Sequence, residues 1–219
     1  MYKNEVIYMN NLQKAFSVAA PSILAGLEKR NMEGYYFESC EEMVQKILSM
    51  LPENSSVAWG GSESFTESGM LTALQNGNYQ LIDRAAAVTT EEKRKLYSRT
   101  VMADAYFMSS NAITYDGILL NIDGSGNRLA CLMHGPKEVF VIVGMNKFTK
   151  TVEAGIERIR NLASPANVQR LNRKTPCHET GLCADCFSPD CICSHLVVTR
   201  RSLLPGRIKV FMVAENLGY

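Results

Sequence analysis

The sequence contains no apolar run approaching the roughly eighteen residues that a membrane-spanning helix needs, and its opening stretch MYKNEVIYMNNLQ lacks the charged-then-apolar order of a secretory leader. A bilayer span is therefore not expected, and the expected compartment is the cytoplasm. Excess charge of either sign is missing too: 23 basic residues stand against 22 acidic ones, for a net charge of +1. That balance gives no reason to expect a nucleic-acid partner. No internal repeat and no low-complexity linker interrupts the chain. At 219 residues, 46% of them apolar, it can bury one substantial core and is too short for two large domains.

Cysteine breaks the pattern of ordinary composition. There are seven, an odd count, and five of them fall between Cys177 and Cys193. This argues against an extracellular disulfide framework and for intracellular metal or redox chemistry.

Strand and helix signals alternate along most of the chain. Residues 10–30 carry apolar residues at helical spacing, with Pro21 as a break or kink. Tyr35–Phe37, Ser56–Trp59, Tyr79–Ile82 and Ala105–Met108 read as strands. Between them, Ser39 with Glu42, Ser64 with Glu67 and Thr89 with Glu92 have the spacing of capped helix starts. Such alternation implies βαβ crossovers, hence an α/β fold with a three-layer, open, mainly parallel sheet and helices on both faces. Further on, Gly117–Ile122, Leu129–Met133 and Val139–Val143 read as strands, with an inserted β-hairpin around Asp123. Val152, Ile156, Ile159 and Ala163 form a helical stripe that Ser164-Pro165 should end, and His195–Thr199 and Ile208–Val213 suggest a terminal hairpin about Pro205-Gly206. The expected organisation is one domain over residues 1–219: an N-terminal helical segment (1–34), an α/β core (35–170), and a Cys-rich loop with the terminal hairpin (171–219).

Two places could carry chemistry. In the first, Gly60, Gly61 and Ser62 follow a strand and precede a helix, an arrangement that suits an anion. Asn111, Thr114, Asp116, Asn121, Asp123, Asn127 and Arg128 supply more hydrogen-bonding groups than tight turns require, so they read as a site wall as well as turns. In open α/β sheets ligands bind beyond the carboxyl ends of strands, which would bring these segments together. The simpler reading of Glu67 is that it complements a helix start. In the second place, Cys177, Cys183, Cys186 and Cys193 form a four-sulfur set suited to zinc or an iron–sulfur cluster. Their spacing matches neither a ferredoxin run nor a standard zinc finger, and Cys191, His178 and His195 lie within reach.

The strings NAIT-YDGILLNIDGSGNR, HGPKEVFVIVGMNK and RIRNLASPANVQRL, with the TPC…TGLC-DC…C tail, closely resemble the LUD family, the lactate-utilisation domain also known as DUF162. The resemblance runs from about Trp59 onward. It implies kinship with the superfamily of ribose-5-phosphate isomerase, glucosamine-6-phosphate deaminase and the CoA transferases. It also implies a loop for a phosphate or other anion at Gly60, Gly61 and Ser62, with Glu67 near the next helix start, and a polar wall of Thr114, Asp116, Asn121, Asn127 and Arg128. Glu67 and Asp116 are the candidate catalytic carboxylates, as bases. The expected ligand is a small anionic metabolite, an organic acid or a phosphorylated compound. The implied role is in lactate or related organic-acid utilisation, as an accessory or electron-transfer subunit beside iron–sulfur or oxidoreductase partners, with a homo-oligomer also in view. Alternatives are a stand-alone isomerase- or CoA-transferase-like enzyme and a non-catalytic, metal-stabilised interaction module. Membership alone does not establish catalysis.

Overall fold

The computed structural model describes residues 9–219; the first eight residues, part of the stretch inspected above for a leader, lie outside it. The elements run α1 (Asn11–Lys29), β1 (Glu33–Phe37), α2 (Cys40–Met50), β2 (Ser56–Trp59), α3 (Glu63–Glu67), α4 (Met70–Gln75), β3 (Gln80–Ile82), α5 (Thr90–Val101) and β4 (Ala105–Met108). They continue with β5 (Ala112–Thr114), β6 (Leu119–Asp123), α6 (Asn127–Met133), β7 (Glu138–Gly144), β8 (Phe148–Thr149), α7 (Val152–Arg158), α8 (Ser164–Leu171), α9 (Pro176–Thr180), β9 (His195–Thr199) and β10 (Ile208–Val213).

Six strands form one parallel sheet in the order β1-β10-β7-β4-β2-β3. Both of its faces are buried, and strand alternation decides which residue serves which face. Tyr106, Met108, Val139, Val141, Val210 and Met212 pack with Phe16, Ile23 and Leu27 of α1 and Leu129 and Leu132 of α6. Ala105, Phe107, Phe140, Ile142, Phe211 and Val213 pack on the other side with Met43 and Ile47 of α2, and with Phe65, Met70 and Leu74. On that second face the rings of Phe65, Phe107, Phe140 and Phe211 follow one another across the sheet at centroid separations of 5.5, 4.8 and 5.7 Å. This is the three-layer architecture expected.

Helix starts follow the capping chemistry closely. Thr89 and Glu92 make a reciprocal capping box, whereas Ser39 accepts from the Glu42 backbone N–H. Helix α1 runs unbroken through Pro21. α3 is capped by Ser62, two residues earlier than the Ser64–Glu67 spacing indicates.

Four readings of the later chain need correction. Leu129–Met133 is the body of helix α6, not a strand; the run Leu-Ala-Cys-Leu-Met has no β-branched residue and consists mostly of good helix formers. The inserted hairpin turns at Tyr115–Ile118, one element before Asp123, with Gly117 at φ 88° and its N–H donated to Thr114 O at 2.9 Å. It belongs to a second, four-stranded sheet ordered β8-β5-β6-β9. β9 and β10 do not form a hairpin: β9 pairs with β6, and β10 enters the parallel sheet between β1 and β7. Finally, Ser164-Pro165 does not end the helix. A π-helical turn over Ile159–Ala163 shifts the register so that α8 continues with Pro165 in its first turn, where a missing N–H costs little.

A cleft at the carboxyl ends of the strands

Three parallel strands end at one place. β2 leads to Gly60–Ser62, β4 to Ser109–Asn111, and β7 to a turn ending at Lys147. Beyond them opens a cleft of about 680 Å³, closed on its far side by α8 and by the chain around Cys191 and Ile192. Gly61, Ser62, Asn127 and Arg128 all line it. The glycine bend and the segment before Arg128 therefore border one hollow.

The residues at this rim are tied mainly to one another. Arg128 donates through Nη1 to Asn121 Oδ1 at 2.7 Å and Ser109 O at 3.3 Å, and through Nη2 to Ile122 O at 2.6 Å and Asn111 Oδ1 at 3.1 Å. Its Nε lies 3.6 Å from Asp123 Oδ2, an oxygen with no hydrogen-bond partner among the described residues. Burial lowers the pKa of this guanidinium, opposed by the charge of Asp123. Asn121 is fully buried and also donates to Ser110 Oγ at 3.1 Å, so it braces Arg128 from behind instead of facing a ligand. Gly60 has a packing role. Its N–H is bonded to Phe107 O at 3.0 Å, and a Cβ there would sit 2.9 Å from the Tyr106 hydroxyl and 3.1 Å from Arg128 Cδ.

Three expected site residues lie elsewhere. Thr114 Oγ1 donates to Asp116 Oδ1 at 2.5 Å and accepts from the Ile118 N–H at 2.9 Å, organising the hairpin turn. Asp116 also pairs with Arg30 of α1, and its pKa is lowered by the Thr114 hydroxyl first and by Arg30 after that. Glu67 accepts the N–H of Gly218 at 2.5 Å and so anchors the C-terminal residues. Neither carboxylate lines the cleft.

The residue that spacing did not reveal is Lys147. It is 4% exposed, lines the cleft, and donates to Ser64 Oγ at 2.7 Å and Ser109 Oγ at 3.0 Å. Burial, then the charges of Arg158 and Arg128, push its ammonium down to about 7, with Glu67 pulling weakly the other way. Arg158 of α7 fixes the surrounding loops by donating to Asn146 O at 3.0 Å and Asn111 O at 2.7 Å. A usable signal was present: Lys147 follows the carboxyl end of a strand that is apolar after Glu138, the same position that drew attention to Gly60–Ser62. Arg84, Arg170 and Arg173 complete the basic lining.

The cysteines meet in a second cavity of about 210 Å³, lined by Cys177, Cys183, Cys186, Cys191 and Cys193. All are free thiols, and the Cys193 N–H donates to Cys191 Sγ at 3.2 Å. Cys191, expected only to lie within reach of the four-sulfur set, thus lines the same cavity as the other four. Among the described residues no three Cys, His, Asp or Glu side chains stand in metal-ligating geometry. The donor set is chemically suited to a thiophilic metal, since five cysteines from one short segment line one space. Ile122, Ser164, Cys191 and Ile192 line both cavities, so a single wall separates them.

Among the described residues no helix is long and apolar enough to cross a membrane. The family model of the LUD domain matches residues 22–213. In three dimensions the chain is similar to a DUF162 family protein from Deinococcus radiodurans, at 12% identity and a TM-score of 0.53, covering 90% of this chain and 98% of that one. That likeness shows a common fold. It is also similar to eIF2B delta from Chaetomium thermophilum, at 15% identity and a TM-score of 0.36 over 54% of this chain and 50% of that one, a likeness too low to carry an argument. No curated protein matches the sequence.

Proposed function

Because the chain belongs to the LUD domain family, we propose that its cleft binds a small anionic metabolite, an organic acid or a phosphorylated compound, in lactate or related organic-acid utilisation. The charge of the lining carries this reading: Arg84, Arg128, Lys147, Arg170 and Arg173 face the cleft against the carboxylates Glu63, Asp123 and Asp190. Arg170 is 3.4 Å from Glu63 and Arg173 is 3.8 Å from Asp190, so these two are partly neutralised. The Arg84 guanidinium lies beside Gly61 and has no ion-pair partner among the described residues. It is the natural bidentate clamp for a carboxylate or phosphate.

Thermal denaturation with L-lactate, inorganic phosphate or glucose tests this. Either anion should raise the melting temperature of the wild type, since a ligand at about 100 times its Kd adds about 2.7 kcal/mol, and Arg84→Ala should lose most of that gain. An equal response to glucose, or no response to the anions, would overturn it.

A second reading concerns the thiol cavity. Cys177, Cys183, Cys186 and Cys193, with Cys191 on the same wall, would hold zinc or an iron–sulfur cluster. Such a group supplies a structural cross-link in the first case and one-electron chemistry in the second. The convergence of five free thiols supports this reading. Anaerobic purification with metal and sulfide analysis decides it. Iron with acid-labile sulfide would favour an electron-transfer subunit with an oxidoreductase partner, zinc a scaffold, and neither would reject the site.

A further inference from the structure

Two hydroxyls hold Lys147 Nζ in a buried position at the edge of the cleft. Each of its two hydroxyl partners already donates its own proton to a carbonyl: Ser64 Oγ to Leu217 O at 3.0 Å, and Ser109 Oγ to Ser110 O at 3.3 Å. With those protons so placed, both hydroxyls accept from Lys147 Nζ, at 2.7 and 3.0 Å. An amine has two N–H bonds and one lone pair. Those two donors are used, and no third acceptor for Nζ is found among the described residues, so the remaining position, a lone pair in the amine and an N–H in the ammonium, is not tied to the protein. The lone pair is left over, on a nitrogen that lines the cleft. Burial, with the like charge of Arg158 and Arg128 beside it, lowers the proton affinity of this nitrogen so that neutral amine is present near neutral pH.

From this geometry we propose that Lys147 is a nucleophile that forms an imine with a carbonyl compound bearing a carboxylate or phosphate. The proposal rests on the reading of the cleft as an anion site and narrows its ligand to 2-oxo acids and aldehyde or ketone phosphates. The Nζ lone pair forms the C–N bond while the carbonyl π pair moves to oxygen. That oxygen takes one proton from nitrogen and one from solvent and leaves as water. The product is an iminium that keeps one N–H and carries the positive charge. The acid group of the same molecule would lie toward Arg84, at the Gly61 side of the hollow. No oxidant or metal enters the step.

Borohydride trapping tests this directly. The full-length protein is incubated separately with pyruvate and with glycolaldehyde phosphate, reduced, digested and read by mass spectrometry, with melting curves recorded for the same mixtures. A reduced adduct on Lys147 is expected, absent from Lys147→Met and formed at least tenfold faster at about pH 8 than at about pH 6. Lys147→Met should stay folded, because the Ser64 and Ser109 protons keep their carbonyl acceptors; its circular dichroism and melting curve check this. Should either probe raise the melting temperature while Lys147 stays unmodified, the imine is rejected and the anion cleft stands. Adducts confined to surface lysines reject it as well. Should neither these probes, nor lactate, nor phosphate bind, both readings fall.

Discussion

The cleft and the thiol cavity share a wall but are built in opposite ways. The cleft is framed by the ends of β2, β4 and β7, and its polar groups are tied to one another before any ligand arrives: Arg128 alone makes four hydrogen bonds. The cavity is backed by Ile122, Ile156, Ser164, Val168 and Leu196 of regular elements, but its five cysteines come from α9 and from chain with no regular structure from residue 181 to 194, without closing into a ligand set. The first is a preorganised site, in which ordering has been completed by folding. The second is a set of ligands that a metal would still have to draw together, so its ordering would be coupled to binding. Substitutions should therefore cost stability at the cleft and little at the cavity until a metal is supplied.

The sharpest test of that contrast is Arg128→Met. It removes a mostly buried cation and leaves Asn121, Ser109 O, Ile122 O and Asp123 without their partner. Breaking such a network costs about 3–5 kcal/mol, measurable by urea denaturation; a loss below about 1 kcal/mol would mean the cleft is not locked by this side chain. Lys147→Met acts through pH. Lys147 is lowered from 10.5 to about 7 in the fold, so between those values the unfolded chain holds a proton that the folded chain does not. Wild-type stability should then rise with pH across that window, by up to about 1.4 kcal/mol per unit. The substitution should flatten the rise, and a wild type and a variant with the same slope between about pH 7.5 and 9.5 would contradict the burial of a neutral amine.

A smaller effect is expected outside both regions. Asp116 is lowered from its ordinary value by Thr114 and Arg30, so its contribution is present above the usual carboxylate range and lost as pH falls through the folded value. Its side chain is 62% exposed, which limits the pair to about 0.5–1 kcal/mol. Asp116→Asn should cost that much at neutral pH and less as the pH falls through the folded value, and leave anion binding unchanged. A loss of binding would return Asp116 to the candidate site.

What the sequence disclosed and what it hid follows from the range of the interactions. Alternating helix and strand signals and local caps such as Thr89–Glu92 were legible because their determinants lie within a few residues of one another. The placement of β10 was not. Lys209 makes the strand look half-exposed, yet its stem is buried and its ammonium reaches Glu138 at 3.0 Å and Gly206 O at 2.6 Å. At the site, Gly61, Ser62, Asn127 and Arg128 could be proposed from the rule about strand ends. Lys147 escaped because its partners Ser64 and Ser109 are 83 and 38 residues away, a pairing that only the sheet order creates. Asp116 and Glu67 are candidate bases through the resemblance, as carboxylates beside the expected anion loop and polar wall. Their partners, Arg30 and Gly218, are likewise distant in sequence.

The least disturbing substitution should be Cys186→Ser without metal. Cys186 lies in the chain between α9 and β9, and the buried packing of the parallel sheet includes none of the five clustered sulfurs. Its replacement should change urea stability by less than about 0.5 kcal/mol, as for other substitutions that touch no core or network. Zinc should then separate the two proteins: the wild type gains stability through coupled ordering of the cavity, and the serine variant gains less because a thiolate has been lost. Anion binding need not follow, since the cleft is ordered without the thiols. If instead Cys186→Ser lowers the melting temperature of the metal-free protein and its affinity for phosphate together, the shared wall at Cys191 and Ile192 couples the two cavities into one cooperative unit, and the contrast between a finished site and an unfinished one fails.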